Sequence, residues 1–137
     1  MADSAPLAIS EIHVSFGDCD PAGIVFYPNY FRWTDALFHR FLDDKVGGHA
    51  RLCNNIGAVG LGLIAVEMSF RSPVAPGQSL MLRLDELAWH DKSLELRYSG
   101  HLGDRTAFVA METRGVFMLQ DGRMRAGPTA ALRTRLG

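Results

Sequence analysis

The sequence of 137 residues has little of several features that mark particular protein classes. It contains two cysteines, Cys19 and Cys53, whose spacing matches neither a zinc site nor a redox pair. Its formal net charge of −1 supplies no basic field for phosphate-driven nucleic-acid binding. The longest apolar-plus-glycine run, Gly57 to Val66, falls far short of the roughly 20 residues that a bilayer requires. These deficits argue against a disulfide-held, nucleic-acid-binding or membrane-spanning protein.

Motifs for metal and serine chemistry are absent as well. The sequence has no G-x-S-x-G elbow, and its histidines show no i, i+4 pairing: His13, His39, His49, His90 and His101. Gly60–Ala65 fits a loose G-x-G-x-x-A dinucleotide pattern, but it opens a predicted strand where that motif needs a helix. We therefore expect neither a metal nor another cofactor. Met1–Pro6 lacks a basic segment followed by an apolar one, so a cytoplasmic location is expected.

The composition is that of one ordinary globular domain over residues 1–137, with 47% hydrophobic and 21% charged residues. Hydrophobic periodicity divides the chain into one helix and several strands. The helix is predicted over Pro28–Lys45, where aromatic and aliphatic residues cover nearly the whole circumference. The strands are predicted at Ile9–Phe16, Leu61–Phe70, Ser79–Trp89, Leu94–Ser99 and Thr106–Leu119, and Asp121-Gly122 turns the chain again.

This order of elements predicts an α+β fold. Short links between consecutive strands permit only antiparallel pairing, and a helix so apolar must be covered by a curved sheet. One such sheet leaves open edges that favour pairing with a second copy, so we expect a homodimer or a homotetramer.

The densest polar segment, Gly17–Gly23, lies between the first strand and the helix. Turn chemistry alone could explain it, but Asp18 and Asp20 there adjoin apolar residues and the positive end of a helix. Asp35 shares a helical stripe with Phe31 and Phe38, which directs it into apolar surroundings or an interface, where it has a structural or a ligand-binding role.

Two further candidates have simpler explanations. Cys19 is a poor nucleophile because the neighbouring carboxylates disfavour its thiolate. The basic end of the chain is either a solvated tail or a phosphate-binding segment: Arg123, Arg125, Arg133 and Arg135.

The contiguous segment Phe16–Asp35, FGDCDPAGIVFYPNYFRWTD, resembles the signature of hot-dog-fold acyl-CoA thioesterases of the 4-hydroxybenzoyl-CoA thioesterase type. The resemblance implies a curved antiparallel sheet wrapped around one long central helix, with active sites at a dimer interface. It implies that Asp20 is the catalytic carboxylate, as nucleophile or as general base, and that the backbone N–H of Tyr27 polarises the thioester carbonyl. Substrate contacts are implied at Gly23, Ile24, Asp35 and Leu61.

The same resemblance implies that Lys92, Arg123 and Arg125 hold the phosphates of coenzyme A, although this chain has His90-Asp91 where the family has a basic pair. A polar threonine of the family is Leu61 here, and the family's tryptophan after the helix is missing. The expected acyl group is therefore a small aromatic, 4-hydroxybenzoyl-like group or a short aliphatic one. The alternatives are a thioesterase acting on acyl-carrier-protein thioesters and a non-catalytic protein that binds acyl thioesters.

Overall fold

The computed structural model describes residues 5–137, so most of Met1–Pro6, the segment on which the expectation of a cytoplasmic location rests, lies outside the described residues. The described chain forms six strands, three α-helices and one 3₁₀ turn. The strands are β1 (Ala8–His13), β2 (Gly60–Phe70), β3 (Ser79–Trp89), β4 (Leu94–Leu102), β5 (Arg105–Gln120) and β6 (Arg123–Gly127). The helices are α1 (Pro28–Val46), α2 (His49–Ile56) and α3 (Ala130–Leu136), and the 3₁₀ turn is Phe16–Asp18.

The strands form one sheet in the order β1-β3-β4-β5-β2, and β6 also pairs with β5. β1 runs antiparallel to β3, with Ala8 opposite Leu84. β6 runs antiparallel to β5, with Val116 opposite Gly127. The predicted α+β class is confirmed, and β2 ends the path of paired strands. Among the described residues, no helix is long and apolar enough to cross a membrane.

Most predicted elements lie where periodicity placed them, but the first strand is shorter than expected. The prediction extended it to Phe16, whereas β1 ends at His13 and the Phe16 side chain is 88% exposed. The Asp18 carboxylate accepts hydrogen bonds from the Ser15 N–H at 2.9 Å and the Ser15 hydroxyl at 3.0 Å. These local bonds turn the backbone out of the strand, so the predicted extension of the strand from His13 to Phe16 is wrong.

Helices α2 and α3 were not predicted, because each is too short to show a strong helical period. α2 ends at Gly57, whose φ of 72° is left-handed and whose N–H donates to the Cys53 carbonyl. α3 buries Leu132 and Leu136 while its arginines stay exposed. The basic C-terminal end is therefore a packed amphipathic helix, and the expectation of a solvated tail is wrong for it.

Contacts divide the described chain into two compact units. The first unit comprises the described part of Met1–Phe38 with Met68–Glu86 and Arg97–Ala110, and the second comprises His39–Glu67, Leu87–Leu96 and Met111–Gly137. In the first, the ring of Tyr30 lies 4.9 Å from that of Phe108 and 5.8 Å from that of Trp33. The core of the second is mainly leucine: Leu42, Leu52, Leu61, Leu94, Leu96, Leu132 and Leu136.

Gly100 is required by close packing in the first unit, because a Cβ added there would overlap the ring of Phe108. We expect Gly100→Ala to lower the free energy of unfolding by roughly 1–3 kcal/mol, the usual cost of overpacking a core. Gly17→Ala is the matched control, since its added Cβ would meet only Ser15 Oγ at 3.9 Å. Denaturant midpoints measure both effects, and equal midpoints for the two variants would contradict the packing argument.

Candidate active site

The loop between β1 and α1 is a small hairpin that presents Asp20. Cys19 bridges Val25 as an isolated antiparallel pair, and the Asp20 N–H donates to the Ile24 carbonyl at 2.9 Å. The Gly23 N–H closes the turn by donating to the Asp20 carbonyl at 2.9 Å, with Gly23 at a left-handed φ of 80°. Asp20 Oδ1 accepts the Ala22 N–H at 2.9 Å. The backbone therefore orients one carboxylate oxygen, and no donor among residues 5–137 bonds the other.

Asp20 opens into a cleft of about 430 Å³ within the first unit. The cleft is lined by Asp20, Ile24, Val25, Tyr27, Tyr30, Phe70, Arg71, Ser72 and Pro73. Most of these side chains are apolar, so the cleft can bury the hydrocarbon part of a ligand next to a single carboxylate, that of Asp20. The sequence reasoning identified the loop side of this cleft. It missed Phe70–Pro73, which it treated only as the end of a strand.

Tyr30 closes the inner side of the cleft. The centre of its ring lies 5.5 Å from that of Phe70. Burial is the main cause that raises the pKa of its hydroxyl to about 12, and the charge of the neighbouring Cys19 is the smaller cause. Tyr30 is therefore a neutral phenol at physiological pH, suited to packing and to hydrogen-bond donation but not to acting as a base.

The backbone N–H of Tyr27 stands immediately before α1. The backbone N–H of Tyr30 donates to the Tyr27 carbonyl at 3.0 Å, and the backbone N–H of Phe26 donates to the Asp18 carbonyl at 2.9 Å. The Tyr27 N–H itself donates to no acceptor among residues 5–137. Unpaired N–H groups are characteristic of the first turn of a helix, where they favour negative charge.

Cys19 lies beside the cleft but is poorly suited to nucleophilic chemistry. Desolvation, and then the negative charges of Asp18 and Asp20, raise the pKa of its thiol above the usual value. Its sulfur instead contacts the Ser15 carbonyl at 3.6 Å. The direction of this shift agrees with the weak thiolate that the sequence predicts.

The cleft brings together some of the residues that the sequence singled out. Asp20, Ile24 and Tyr27 line it, and Gly23 lies in the turn that supports it. Asp35 belongs to the same unit and is exposed on this chain, so it does not lie in an apolar part of that unit. The other expectation, that it faces an interface, stays a prediction. The helix turns this position outward because Thr34 and Leu37 take the buried side.

The remaining predicted residues belong to the second unit. Lys92 lies exposed in the link between β3 and β4, and Arg123 and Arg125 lie exposed on β6. Leu61 is buried near the start of β2. Its N–H donates to His49 Nε2 at 3.1 Å, and its carbonyl accepts from Arg114 Nη1 at 3.3 Å.

A buried ion pair supports Leu61, and the sequence reasoning missed it. Arg114 Nε donates to Glu112 Oε1 at 3.1 Å, and the two residues are only 6% and 3% exposed. The signal that could have found the pair is two opposite charges, two residues apart, in an otherwise apolar predicted strand. Within residues 5–137 no group of three or more His, Cys, Asp or Glu side chains is placed to hold a metal.

Comparison with known proteins gives consistent matches. Residues 14–136 match the thioesterase-like superfamily. A curated 4-hydroxybenzoyl-CoA thioesterase from Pseudomonas sp. (strain CBS-3) is 32% identical over 119 residues, covering 82% of this chain and 84% of that protein.

Solved structures match over nearly the full length of both chains. A 4-hydroxybenzoyl-CoA thioesterase with an aspartate-to-asparagine mutation, in complex with 4-hydroxybenzoyl-CoA, superimposes with a TM-score of 0.80 at 28% identity, covering 93% of this chain and 96% of that one. A gentisyl-coenzyme A thioesterase superimposes with a TM-score of 0.74 at 26% identity, covering 91% and 98%.

Proposed function

Because the chain belongs to the thioesterase-like superfamily, we propose that it hydrolyses an acyl-CoA thioester to a free acid and coenzyme A. The observation that carries the proposal is the Asp20 carboxylate, oriented by the Ala22 N–H and facing a mainly apolar cleft beside the start of α1.

Asp20 supplies the reactive oxygen in either of two routes. As a nucleophile, it bonds to the acyl carbon, the C–S bond breaks, and water then hydrolyses the resulting anhydride. As a general base, it takes a proton from a water molecule whose oxygen attacks the same carbon. Both routes use the ionised carboxylate, and both leave a free acid and a thiol.

The Tyr27 N–H is the proposed donor to the thioester oxygen. In either route that oxygen gains negative charge as the carbonyl is attacked, and a fixed backbone donor stabilises it without reorganising. Since the Tyr27 N–H has no acceptor among the described residues, it is available for this bond. A thiol leaving group, with a pKa of about 8.5, departs with little acid assistance, so the proposed reaction needs no cofactor.

The acyl group is proposed to be small and aromatic or short and aliphatic. The apolar lining of the Asp20 cleft favours such a group, and two relatives carry 4-hydroxybenzoyl and gentisyl thioesterase names. Substrate contacts at Gly23, Ile24, Asp35 and Leu61, and phosphate contacts at Lys92, Arg123 and Arg125, are proposed from the sequence resemblance. A cytoplasmic location remains a prediction.

Thiol release from a panel of thioesters tests this proposal. The panel contains benzoyl-, 4-hydroxybenzoyl-, phenylacetyl- and short aliphatic acyl-CoA, with the preferred acyl group also presented on an acyl-carrier protein. Preference for an aromatic CoA thioester is the expected result. Binding of CoA thioesters without any hydrolysis would overturn the proposal and favour a non-catalytic binding protein.

We also propose that two copies pair through β2. This strand is the last in the order of paired strands and exposes the apolar side chains of Leu63, Ile64 and Val66, a pattern that favours pairing with another strand.

Light scattering tests this pairing. We expect wild-type protein to have two or four times the 15.1 kDa chain mass, and Val66→Asp to shift it to monomer. Leu119→Asp, on an exposed site of β5, is the control and should keep the wild-type mass. Monomeric wild-type protein would contradict the pairing.

A further inference from the structure

Three side chains of the Asp20 cleft carry hydrogen-bond donors that the chain itself does not use. Arg71 follows β2 directly and is exposed, and its guanidinium forms no ion pair or hydrogen bond within residues 5–137. The hydroxyl groups of Ser72 and Tyr30 have no partner in that part of the chain either. The hydrolysis proposed for Asp20 needs none of these donors, so they are available to bind a part of the ligand away from the reacting carbon.

Tyr30 is the most deeply placed of the three. It is only 5% exposed, because its ring packs against those of Phe70 and Phe108. Among the described residues no buried side-chain oxygen or nitrogen lacks a partner, so the unpaired Tyr30 hydroxyl reaches open space. Since Tyr30 lines the Asp20 cleft, that space is the cleft. The raised pKa of the hydroxyl keeps it protonated, and it therefore acts as a donor there.

The backbone of Arg71 and Ser72 is held by β5. Both N–H groups donate to the Ala107 carbonyl, at 2.7 and 3.0 Å, and Ala107 is buried. Pro73 follows at once and restricts Ser72 to extended conformations. The two polar side chains therefore start from a fixed stretch of backbone, which lowers the entropy lost when they bind a ligand.

The cleft holds two opposite charges that do not neutralise each other. Asp20 and Arg71 both line it, and no ion pair joins them. A ligand whose acyl carbon lies against Asp20 therefore brings another of its groups to Arg71. A guanidinium binds carboxylate and phosphate most strongly. In an acyl-CoA the pantetheine arm next to the sulfur is uncharged, so an anion close to the reacting carbon has to come from the acyl group.

We propose that the acyl group carries a carboxylate remote from the thioester, which makes the substrate a CoA monothioester of a dicarboxylic acid. The free carboxylate accepts from the Arg71 guanidinium and from the hydroxyls of Tyr30 and Ser72. The hydrocarbon between the two carboxyl carbons packs on the apolar lining of the cleft. This inference rests on the proposed function, because it places the acyl carbon at Asp20. The charged group has to be remote, since Asp20 repels a carboxylate beside the reacting carbon.

Isothermal titration of the full chain with two stable CoA thioethers tests the inference. S-(4-carboxybenzyl)-CoA and S-(4-methylbenzyl)-CoA have nearly the same shape and differ by one negative charge, and neither has a carbonyl to hydrolyse. We expect the carboxylated thioether to bind about tenfold or more tightly, as a hydrogen bond to a charged group provides. Equal affinities, tighter binding of the methyl thioether, or no binding of either one would overturn the inference.

Arg71→Gln and Arg105→Gln form a matched pair with the same change in charge. Arg105 is exposed in the same unit, forms no ion pair among the described residues and does not line the cleft. Arg71→Gln should reduce the preference for the carboxylated thioether about tenfold or more, and Arg105→Gln should keep it. If Arg71→Gln weakens both thioethers equally, Arg71 contacts the coenzyme and the inference is overturned.

Tyr30→Phe tests the buried donor separately. Phenylalanine keeps the ring that packs on Phe70 and Phe108, so the denaturant midpoint should stay close to that of wild type. Loss of the hydroxyl should reduce the preference for the carboxylated thioether about threefold or more, with the affinity for the methyl thioether unchanged. An unchanged preference would overturn the assignment of Tyr30.

Turnover separates this inference from the proposed function. The kcat/KM for 4-carboxybenzoyl-CoA should exceed that for 4-methylbenzoyl-CoA about tenfold or more, because the carboxylate is bound in the transition state as well. Hydrolysis of the methyl compound with equal or greater kcat/KM would overturn the inference and leave the hydrolysis standing. A preference for the carboxylated thioether without hydrolysis of any thioester would overturn the proposed function alone.

Discussion

Asp20→Asn should lower the rate of thioester hydrolysis by roughly 10²–10⁴-fold, the range that a positioned general base contributes. Asparagine has nearly the same shape and can still accept the Ala22 N–H through its amide oxygen, so the turn should be preserved. It lacks the anionic oxygen that attacks the acyl carbon or takes a proton from water. Steady-state thiol release at several substrate concentrations should show the loss in kcat, with little change in substrate affinity.

Cys19→Ser is the matched control because it alters the adjacent residue of the same hairpin. The raised pKa of the Cys19 thiol leaves little thiolate at neutral pH, so this variant should keep most of the wild-type rate. Loss of activity in Cys19→Ser together with an active Asp20→Asn variant would assign the chemistry to the thiol. Circular dichroism and denaturant midpoints of each variant separate a chemical effect from misfolding.

Rapid acid quenching distinguishes the two routes open to Asp20. An anhydride at Asp20 adds the mass of the acyl group to the intact protein during turnover, whereas general-base catalysis leaves the mass unchanged. The two routes give the same products and the same loss in Asp20→Asn, so only this measurement separates them.

Glu112→Ala should be the most destabilising of the substitutions considered. It leaves the Arg114 guanidinium buried without its carboxylate, and removing one partner of a buried ion pair costs about 3–5 kcal/mol. For a chain of this size that corresponds to a fall in Tm of roughly 10 °C or more. Thermal unfolding followed by circular dichroism at a fixed protein concentration measures the effect.

Two comparisons test the reason for this cost. Glu86→Ala breaks an ion pair of 3.6 Å with Arg97 on the exposed surface, where the loss should stay within about 1 kcal/mol. Replacing both buried partners, as Glu112→Leu with Arg114→Met, should restore much of the stability because no lone charge remains. A Glu112→Ala variant as stable as Glu86→Ala would show that water reaches Arg114.

Local patterns in the sequence were sufficient for the long elements and for the family. The apolar circumference of Pro28–Lys45 predicts α1 to within one residue of its end, because a helix of that length repeats its period several times. The signature in Phe16–Asp35 predicts a hot-dog thioesterase, which the family and structural matches confirm. Asp20 was identifiable for the same reason, since its loop is contiguous in sequence.

Short elements and distant partners were not readable in this way. The turn at Phe16–Asp18 depends on hydrogen bonds between Ser15 and Asp18 that outweigh the alternating pattern of β1. The outward direction of Asp35 depends on which side of α1 the packed core covers. A periodic pattern identifies a stripe of residues, but neighbouring elements decide which side of the helix is buried.

By itself, the sequence determined the family, the α+β class and the candidate carboxylate, because periodicity and a contiguous loop are properties of neighbouring residues. Only the tertiary structure placed Phe70–Pro73 beside Asp20 and bonded Leu61 to His49 and Arg114. These contacts join residues far apart in the chain. They arise from strand pairing and side-chain packing, which no local pattern encodes.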